Sequence, residues 1–139
     1  MPGAFHDVPA MFAKWGMDKE PQECVWVVAY DASMTVRTVV EVARGSHVRA
    51  DIHLPTMLAA ILVTGCERFM LVHNHPTNRV TPSEGDKVMT KEILQATNAC
   101  GLYMEDHIIL TPKGAWYSFA QHGLIQTVDY IATTGASYR

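Results

Sequence analysis

Apolar residues in this chain are grouped in short runs that are separated by turn-forming residues. Residues 25–30 and 35–43 are rich in β-branched side chains and flank a turn-like Asp-Ala-Ser, which predicts an antiparallel hairpin. A third apolar run of strand length covers residues 69–72. Residues 107–110 and 115–119 flank Thr-Pro-Lys-Gly, a sequence with turn chemistry, and predict a second hairpin.

Two segments between these strands have helical patterns instead. Residues 54–64 have a helical composition, with Pro55 tolerated in the first turn and Gly65 placed to end the helix. Residues 83–100 carry apolar side chains at helical spacing, and Gly101 follows them. The pattern therefore predicts two helices, one on each side of the third strand.

The ends of the chain differ from this central part. Residues 1–22 combine prolines and glycines with a few aromatic residues, which predicts an N-terminal arm with a short helix over 9–15 ahead of a domain over 23–139. Residues 121–132 have the composition of a last helix. The element order predicts an α/β fold, a mixed β-sheet flanked by helices. The apolar arm and the open sheet edges are compatible with a homodimer.

Composition limits the classes of function. A chain of 139 residues, 48% of them hydrophobic, is long enough for one domain with a buried core. A net charge of -3 gives no long-range attraction to nucleic acid, so we do not expect a nucleic-acid partner. Cys24, Cys66 and Cys100 are far apart, which indicates neither a disulfide framework nor a thiolate metal site. Without a signal segment or a membrane-length apolar run, we expect a cytoplasmic protein with no membrane association.

The strongest candidate for chemistry follows the third strand. His73 and His75 stand at its end, where Pro76 stops it, and strand alternation turns both imidazoles to one face. Asp86 lies three residues after Ser83, a candidate helix N-cap, so its carboxylate would point back toward the strand end. Two imidazoles and a carboxylate are the three protein ligands of a catalytic zinc that keeps a fourth position for water. The sequence therefore predicts a zinc (Zn²⁺) site.

This spacing, His-x-His-Pro, then Asp, with Ser three positions before it, resembles the motif of the JAB/MPN/JAMM metalloproteases. The fuller resemblance is to the RadC-like branch of that superfamily, and it extends from about residue 25 to about residue 125. Its matches are Gly45-Ser46, His73-Asn74-His75-Pro76, Pro82-Ser83, Thr90, Asp106-His107 and Ser118. The resemblance implies a JAB/MPN-like, deaminase-like layered fold and hydrolysis of amide or isopeptide bonds in peptide or protein substrates. It also implies that Ser83 helps to stabilise the oxyanion.

One element of the family pattern is missing from this chain. A zinc hydrolase needs a carboxylate to take the proton of the attacking water and pass it to the leaving amine. RadC-like sequences carry a His-Pro-Arg-Glu segment after the glycine that corresponds to Gly45. Here the segment is His53-Leu54-Pro55-Thr56, and Thr56 stands in the place of the glutamate. Threonine cannot act as a general base at neutral pH.

Whether the chain is an enzyme therefore stays open at this point. In one interpretation Glu41 is the base, since JAMM enzymes carry their glutamate on a strand ahead of the histidines; Asp51 is a weaker candidate. In the other there is no base, and the domain is a catalytically silent metal-binding or protein-interaction module. A third, weaker hypothesis is the DNA-repair role often associated with the family, which the acidic charge balance disfavours.

Overall fold

The computed structural model describes residues 4–45 and 52–125, which form a layered α/β fold. In chain order the elements are α1 (Ala4–Lys14), a 3₁₀ turn (Met17–Lys19), β1 (Cys24–Tyr30), β2 (Val36–Arg44), α2 (Leu54–Leu62), β3 (Arg68–Asn74), α3 (Glu84–Ala99), β4 (Tyr103–Leu110) and β5 (Trp116–Ser118). The predicted elements between the hairpins are thus confirmed, with small shifts at their ends.

The five strands form one mixed sheet in the order β2-β1-β3-β4-β5. Both predicted hairpins are present as antiparallel pairs, β1 with β2 and β4 with β5. The pair β3 and β4 is parallel, and α3 makes the crossover between them, as parallel neighbours require. The predicted mixed sheet flanked by helices is therefore confirmed.

Helices cover both faces of the sheet, which accounts for the burial of every residue of β1. On one face α2 and α3 pack against the sheet through a cluster that includes Met57 and Ile93. On the other face α1 packs through Val8 and Phe12, which are in the same cluster as Trp26. The apolar side chains of the predicted N-terminal arm thus contribute to the core of this chain. Its helix begins at Ala4, earlier than the predicted residue 9.

Two further elements differ from the sequence prediction. β4 begins at Tyr103 rather than at 107, because the polar residues 105 and 106 still pair within the sheet, with Asp106 opposite Met70. Residues 121–125 form turns, while the rest of the helix predicted over 121–132 lies outside the described residues, as does Asp51. Within the described ranges, no helix is long and apolar enough to cross a membrane.

Candidate metal site

The two histidines are fixed by strand β3 and its parallel neighbour. His73 is the second-last residue of β3, faces Val25 of β1 and is completely buried. The N–H of His75 donates to the carbonyl oxygen of Leu110 at 2.8 Å, which continues the pairing with β4 beyond the strand end. The two imidazole rings lie 4.8 Å apart, centroid to centroid, with their planes nearly perpendicular. The predicted approach of the two histidines is confirmed.

The carboxylate of Asp86 is oriented by the first turn of α3. The Asp86 N–H donates to Ser83 Oγ at 3.0 Å, and the Ser83 N–H donates to Asp86 Oδ2 at 2.9 Å, so the two residues form a capping box. Asp86 Oδ2 also lies 3.2 Å from His75 Nε2. Burial alone would raise the pKa of Asp86, but the hydrogen bonds and the neighbouring histidines hold it well below its usual range. Asp86 is therefore an anion at neutral pH.

Together these three side chains could hold a metal ion. One ligand atom from each of His73, His75 and Asp86 lies within 4.8 Å of the others. His73 Nδ1 is buried, 3.8 Å from Asp86 Oδ1, and has no hydrogen-bond partner among the described residues. A buried nitrogen without a partner is rare in proteins, so this imidazole still has hydrogen-bonding capacity to satisfy, as a residue that receives an ion has. Two imidazoles and one carboxylate suit zinc, so the residues present fit the predicted metal.

A fourth side chain, Glu23, joins this cluster from the residue directly before β1. Its Oε1 lies 2.9 Å from His73 Nε2. The hydrogen bond to His73 lowers the pKa of Glu23, although partial burial acts in the opposite direction. The side chain is 39% exposed, so it can reach both the cluster and a bound substrate. Glu23 thus adds a carboxylate that can accept a proton beside the candidate metal site.

Glu23 and two of the three candidate ligands, His75 and Asp86, line one cavity of about 450 Å³. Its lining residues are Glu23, His75, Pro76, Thr77, Arg79, Thr81, Pro82, Ser83 and Asp86. The loop between His75 and Ser83 forms much of the wall, and the carbonyl oxygen of Arg79 lies 2.7 Å from His75 Nδ1. The cavity is large enough for part of a peptide.

Sequence reasoning missed Glu23, although one weak signal was present. Glu23 stands two residues before Val25, so it shares the face of Val25 in an extended chain. Val25 pairs with His73, which brings Glu23 to the same end of the sheet. The contact between Glu23 and His73 joins residues 50 positions apart and has no marker in the local sequence.

The structure does not bring Glu41 to the cluster. Glu41 lies opposite Trp26, on the sheet face that α1 covers, whereas His73 lies opposite Val25 on the other face. The carboxylate of Glu41 accepts hydrogen bonds from Arg44, at 3.0 Å from Nε and 2.8 Å from Nη2. It is a strand residue in an exposed ion pair.

Thr56, which stands in the place of the family glutamate, is also apart from the cavity. It is exposed in the first turn of α2, and its Oγ1 lies 2.8 Å from His53 Nδ1. Thr56 is not among the lining residues. The absence of a glutamate at position 56 therefore does not deprive the cavity of a carboxylate, because Glu23 supplies one.

Behind the ligands, His107 forms a buried support. Its ring stacks on Phe119 at 4.3 Å, and its Nδ1 lies 2.7 Å from Thr90 Oγ1, which in turn donates to the carbonyl oxygen of Asp86 at 2.8 Å. Burial lowers the pKa of His107 well below its usual value, so this imidazole is neutral. His107 is therefore a packing and hydrogen-bonding residue beneath the site.

Asp106 and Ser118, two further positions of the resemblance, fix the turn that carries Phe119. The hydroxyl of Ser118 donates to Asp106 Oδ2, while Asp106 Oδ1 accepts from the N–H groups of His107 and Ala120. Burial raises the pKa of Asp106. These contacts join β4 to the segment after β5 and keep Phe119 against the ring of His107.

Comparison with known proteins gives a family match over most of the chain. The model of a family described as the RadC-like JAB domain matches residues 5–124. A UPF0758 protein of Porphyromonas gingivalis is 34% identical over 107 residues, which are 76% of this chain and 46% of that protein. A UPF0758 protein of Rhodobacter capsulatus is 32% identical over 109 residues, 78% of this chain and 50% of that protein.

A third relative matches a shorter part. The UPF0758 protein YeeS of Escherichia coli K12 is 32% identical over 77 residues, 55% of this chain and 51% of YeeS. The chain spans about half the length of the curated relatives that it matches.

Proposed function

Because the chain belongs to the family of RadC-like JAB domains, we propose that it is a zinc-dependent hydrolase of amide or isopeptide bonds in peptide or protein substrates. One observation carries the proposal: the carboxylate of Glu23 lies 2.9 Å from His73 and lines the cavity that contains His75 and Asp86. The cavity, together with the buried His73, therefore offers three ligand side chains and a proton acceptor, which are the two requirements of this hydrolysis.

Each residue has a distinct role in this proposal. His73, His75 and Asp86 would hold zinc, which would supply Lewis-acid polarisation of the substrate carbonyl and acidify water. Glu23 takes the proton of the attacking water and gives it to the leaving nitrogen. The lowered pKa of Glu23 keeps it deprotonated at neutral pH, as a base must be.

Ser83 lines the same cavity and is the proposed partner of the oxyanion. Its oxygen accepts the N–H of Asp86, and a hydroxyl that accepts a hydrogen bond can also donate one. A donor aimed at the negative charge that develops on the carbonyl oxygen stabilises the transition state. The residue thus caps α3 and contributes to catalysis.

A catalytically silent metal-binding or protein-interaction module is the alternative. This alternative is based on the absence of a carboxylate at position 56. Glu23 supplies a carboxylate at the cavity, so we favour the hydrolase.

A metal-dependence assay tests the proposal. The protein is stripped with a chelator, reloaded with one equivalent of zinc, and incubated with fluorogenic peptides and with a peptide joined through a lysine isopeptide bond. We expect cleavage by the reloaded protein, loss of cleavage after chelation and recovery on addition of zinc. If the protein binds one zinc and cleaves neither kind of bond, the silent module is the better description.

Replacing Ser83 with alanine is expected to lower both the stability and the rate. Loss of the helix cap costs about 1 kcal/mol of unfolding free energy, measured by urea denaturation, and loss of the oxyanion donor lowers kcat by roughly 10²-fold. Ser83→Gly is the matched control, because glycine at an N-cap costs only about a few tenths of a kcal/mol yet also lacks the hydroxyl. A glycine variant with full kcat would contradict the oxyanion role.

A further inference from the structure

We infer that Asn74 is a positioning residue that holds both peptide bonds of Glu23, so that the Glu23 carboxylate faces the metal site. The catalytic consequence rests on the proposed function of Glu23 as the base. Asn74 stands between the two histidine ligands, and it is completely buried.

The carboxamide of Asn74 hydrogen-bonds to the backbone on either side of Glu23. Its Oδ1 accepts the N–H of Cys24 at 2.7 Å, and its Nδ2 donates to the carbonyl oxygen of Gln22 at 3.0 Å. Nδ2 also donates to the carbonyl oxygen of Glu20 at 3.2 Å. The Gln22 carbonyl and the Cys24 N–H belong to the two peptide bonds of Glu23, so a single side chain binds both.

These hydrogen bonds lie directly beyond the point where the regular pairing of β1 with β3 ends. The last residue pair of β1 with β3 is Val25 with His73, so residues 20–24 extend beyond the ladder. On its other side the carbonyl oxygen of Glu23 accepts the N–H of Gly45 at 2.8 Å. The Asn74 side chain therefore replaces the missing backbone partner on the β3 side and fixes Glu23 between two neighbours.

Asn74 acts through the backbone and not by direct contact with the ligands. Successive residues of a strand point to opposite faces, so the side chain of Asn74 is on the face opposite to that of His73. By the same alternation Glu23 and Cys24 point to opposite faces. Asn74 thus binds the Cys24 N–H from the face opposite to His73. The Glu23 side chain therefore points toward His73, where its Oε1 is observed.

Only a carboxamide has this set of one acceptor and two donors at this length. An aspartate at this position could accept a hydrogen bond from the Cys24 N–H. Its negative charge, however, would lie against the carbonyl oxygens of Glu20 and Gln22. Alanine would leave the Cys24 N–H and the Gln22 carbonyl without this partner, and the segment that carries Glu23 would be free to shift.

The test compares Asn74→Ala with Thr97→Ala in the full, zinc-loaded chain. Thr97 is an equally buried residue whose hydroxyl donates to Ile93 at 2.8 Å within the last turns of α3, so its replacement is a matched loss of a buried hydrogen bond. Asn74→Thr, which suits a strand but is too short to bridge both peptide bonds, is the second variant if the alanine variant does not fold.

Two readouts are measured. The first is hydrogen exchange of the Cys24 amide, which we expect to become at least tenfold faster in the Asn74 variant and to stay unchanged in Thr97→Ala. The second is kinetic: we expect kcat to fall about tenfold or more with unchanged KM and zinc content. In a Glu23→Gln background Asn74→Ala should have no further effect, since it acts through Glu23.

Three results would overturn the inference: unchanged Cys24 exchange in Asn74→Ala, an equal fall of kcat in Thr97→Ala, or the same fall of kcat in the Glu23→Gln background. The exchange measurement needs no substrate. If the unmodified protein cleaves nothing, the hydrolase proposal fails, and the exchange rate of Cys24 alone decides whether Asn74 holds this segment.

Discussion

Replacing Glu23 with glutamine is expected to lower kcat by roughly 10²- to 10⁴-fold, the usual contribution of a general base. Glutamine keeps the size of the side chain and can still hydrogen-bond to His73, but it cannot take a proton from water. The three metal ligands are untouched, so zinc content by elemental analysis should stay at one equivalent. Activity would then be lost without loss of metal.

Glu41→Gln is the matched control for this change. It makes the same chemical substitution on the opposite face of the sheet, where Glu41 is paired with Arg44. We expect kcat to stay within about twofold of the unmodified protein, since an exposed ion pair contributes little to stability. Loss of activity in Glu41→Gln together with full activity in Glu23→Gln would show that the base has been assigned to the wrong carboxylate.

Replacing His75 with alanine is expected to remove stoichiometric zinc and, with it, all hydrolysis. The substitution deletes one of the three ligands and also leaves Asp86 without its 3.2 Å contact to an imidazole. Changes outside the ligand shell already weaken metal binding by about 10- to 100-fold, so loss of a ligand should exceed that. Zinc affinity is measured by competition with a chromophoric chelator.

His53→Ala is the control for the histidine ligands. His53 is exposed at the start of α2, and its Nδ1 contacts Thr56 rather than any residue of the cavity. Its variant should bind zinc as the unmodified protein does. Equal zinc content in the His75 and His53 variants would rule out the ligand set.

Local sequence was enough to predict that His73, His75 and Asp86 lie together as candidate metal ligands. His73 and His75 follow an apolar run that Pro76 ends, and Ser83 and Asp86 form a capping box whose signature is visible in four consecutive residues. Each of these features depends on neighbours a few positions away. Because strand β3 leads through one loop into α3, residues close in sequence are also close in space.

The sheet face on which Glu41 lies could not be predicted in this way, since it depends on sheet register. Ala43 pairs with Val25, and a regular ladder would then put Glu41 opposite Val27, on the face of His73. A β-bulge between Val25 and Trp26 instead puts Glu41 opposite Trp26. An extra residue in one strand turns every later side chain to the other face, and nothing in the sequence marks where this occurs.

Glu23 was overlooked for a related reason. It lies between the predicted arm and the first predicted strand, and its closeness to His73 requires that β1 lie beside β3. Which strands lie side by side, when they are far apart along the chain, is the feature that a single sequence specifies least. The contacts of Asn74 with this segment depend on the same strand order.

The most direct test of the central claim is a crystal structure of the protein prepared with zinc, with anomalous data collected on both sides of the zinc absorption edge. We expect one zinc peak bounded by His73, His75 and Asp86, with the Glu23 carboxylate facing the open side of the ion within hydrogen-bonding reach of a water there. A zinc peak at these ligands with Glu23 turned away, and no other carboxylate in its place, would contradict the hydrolase account.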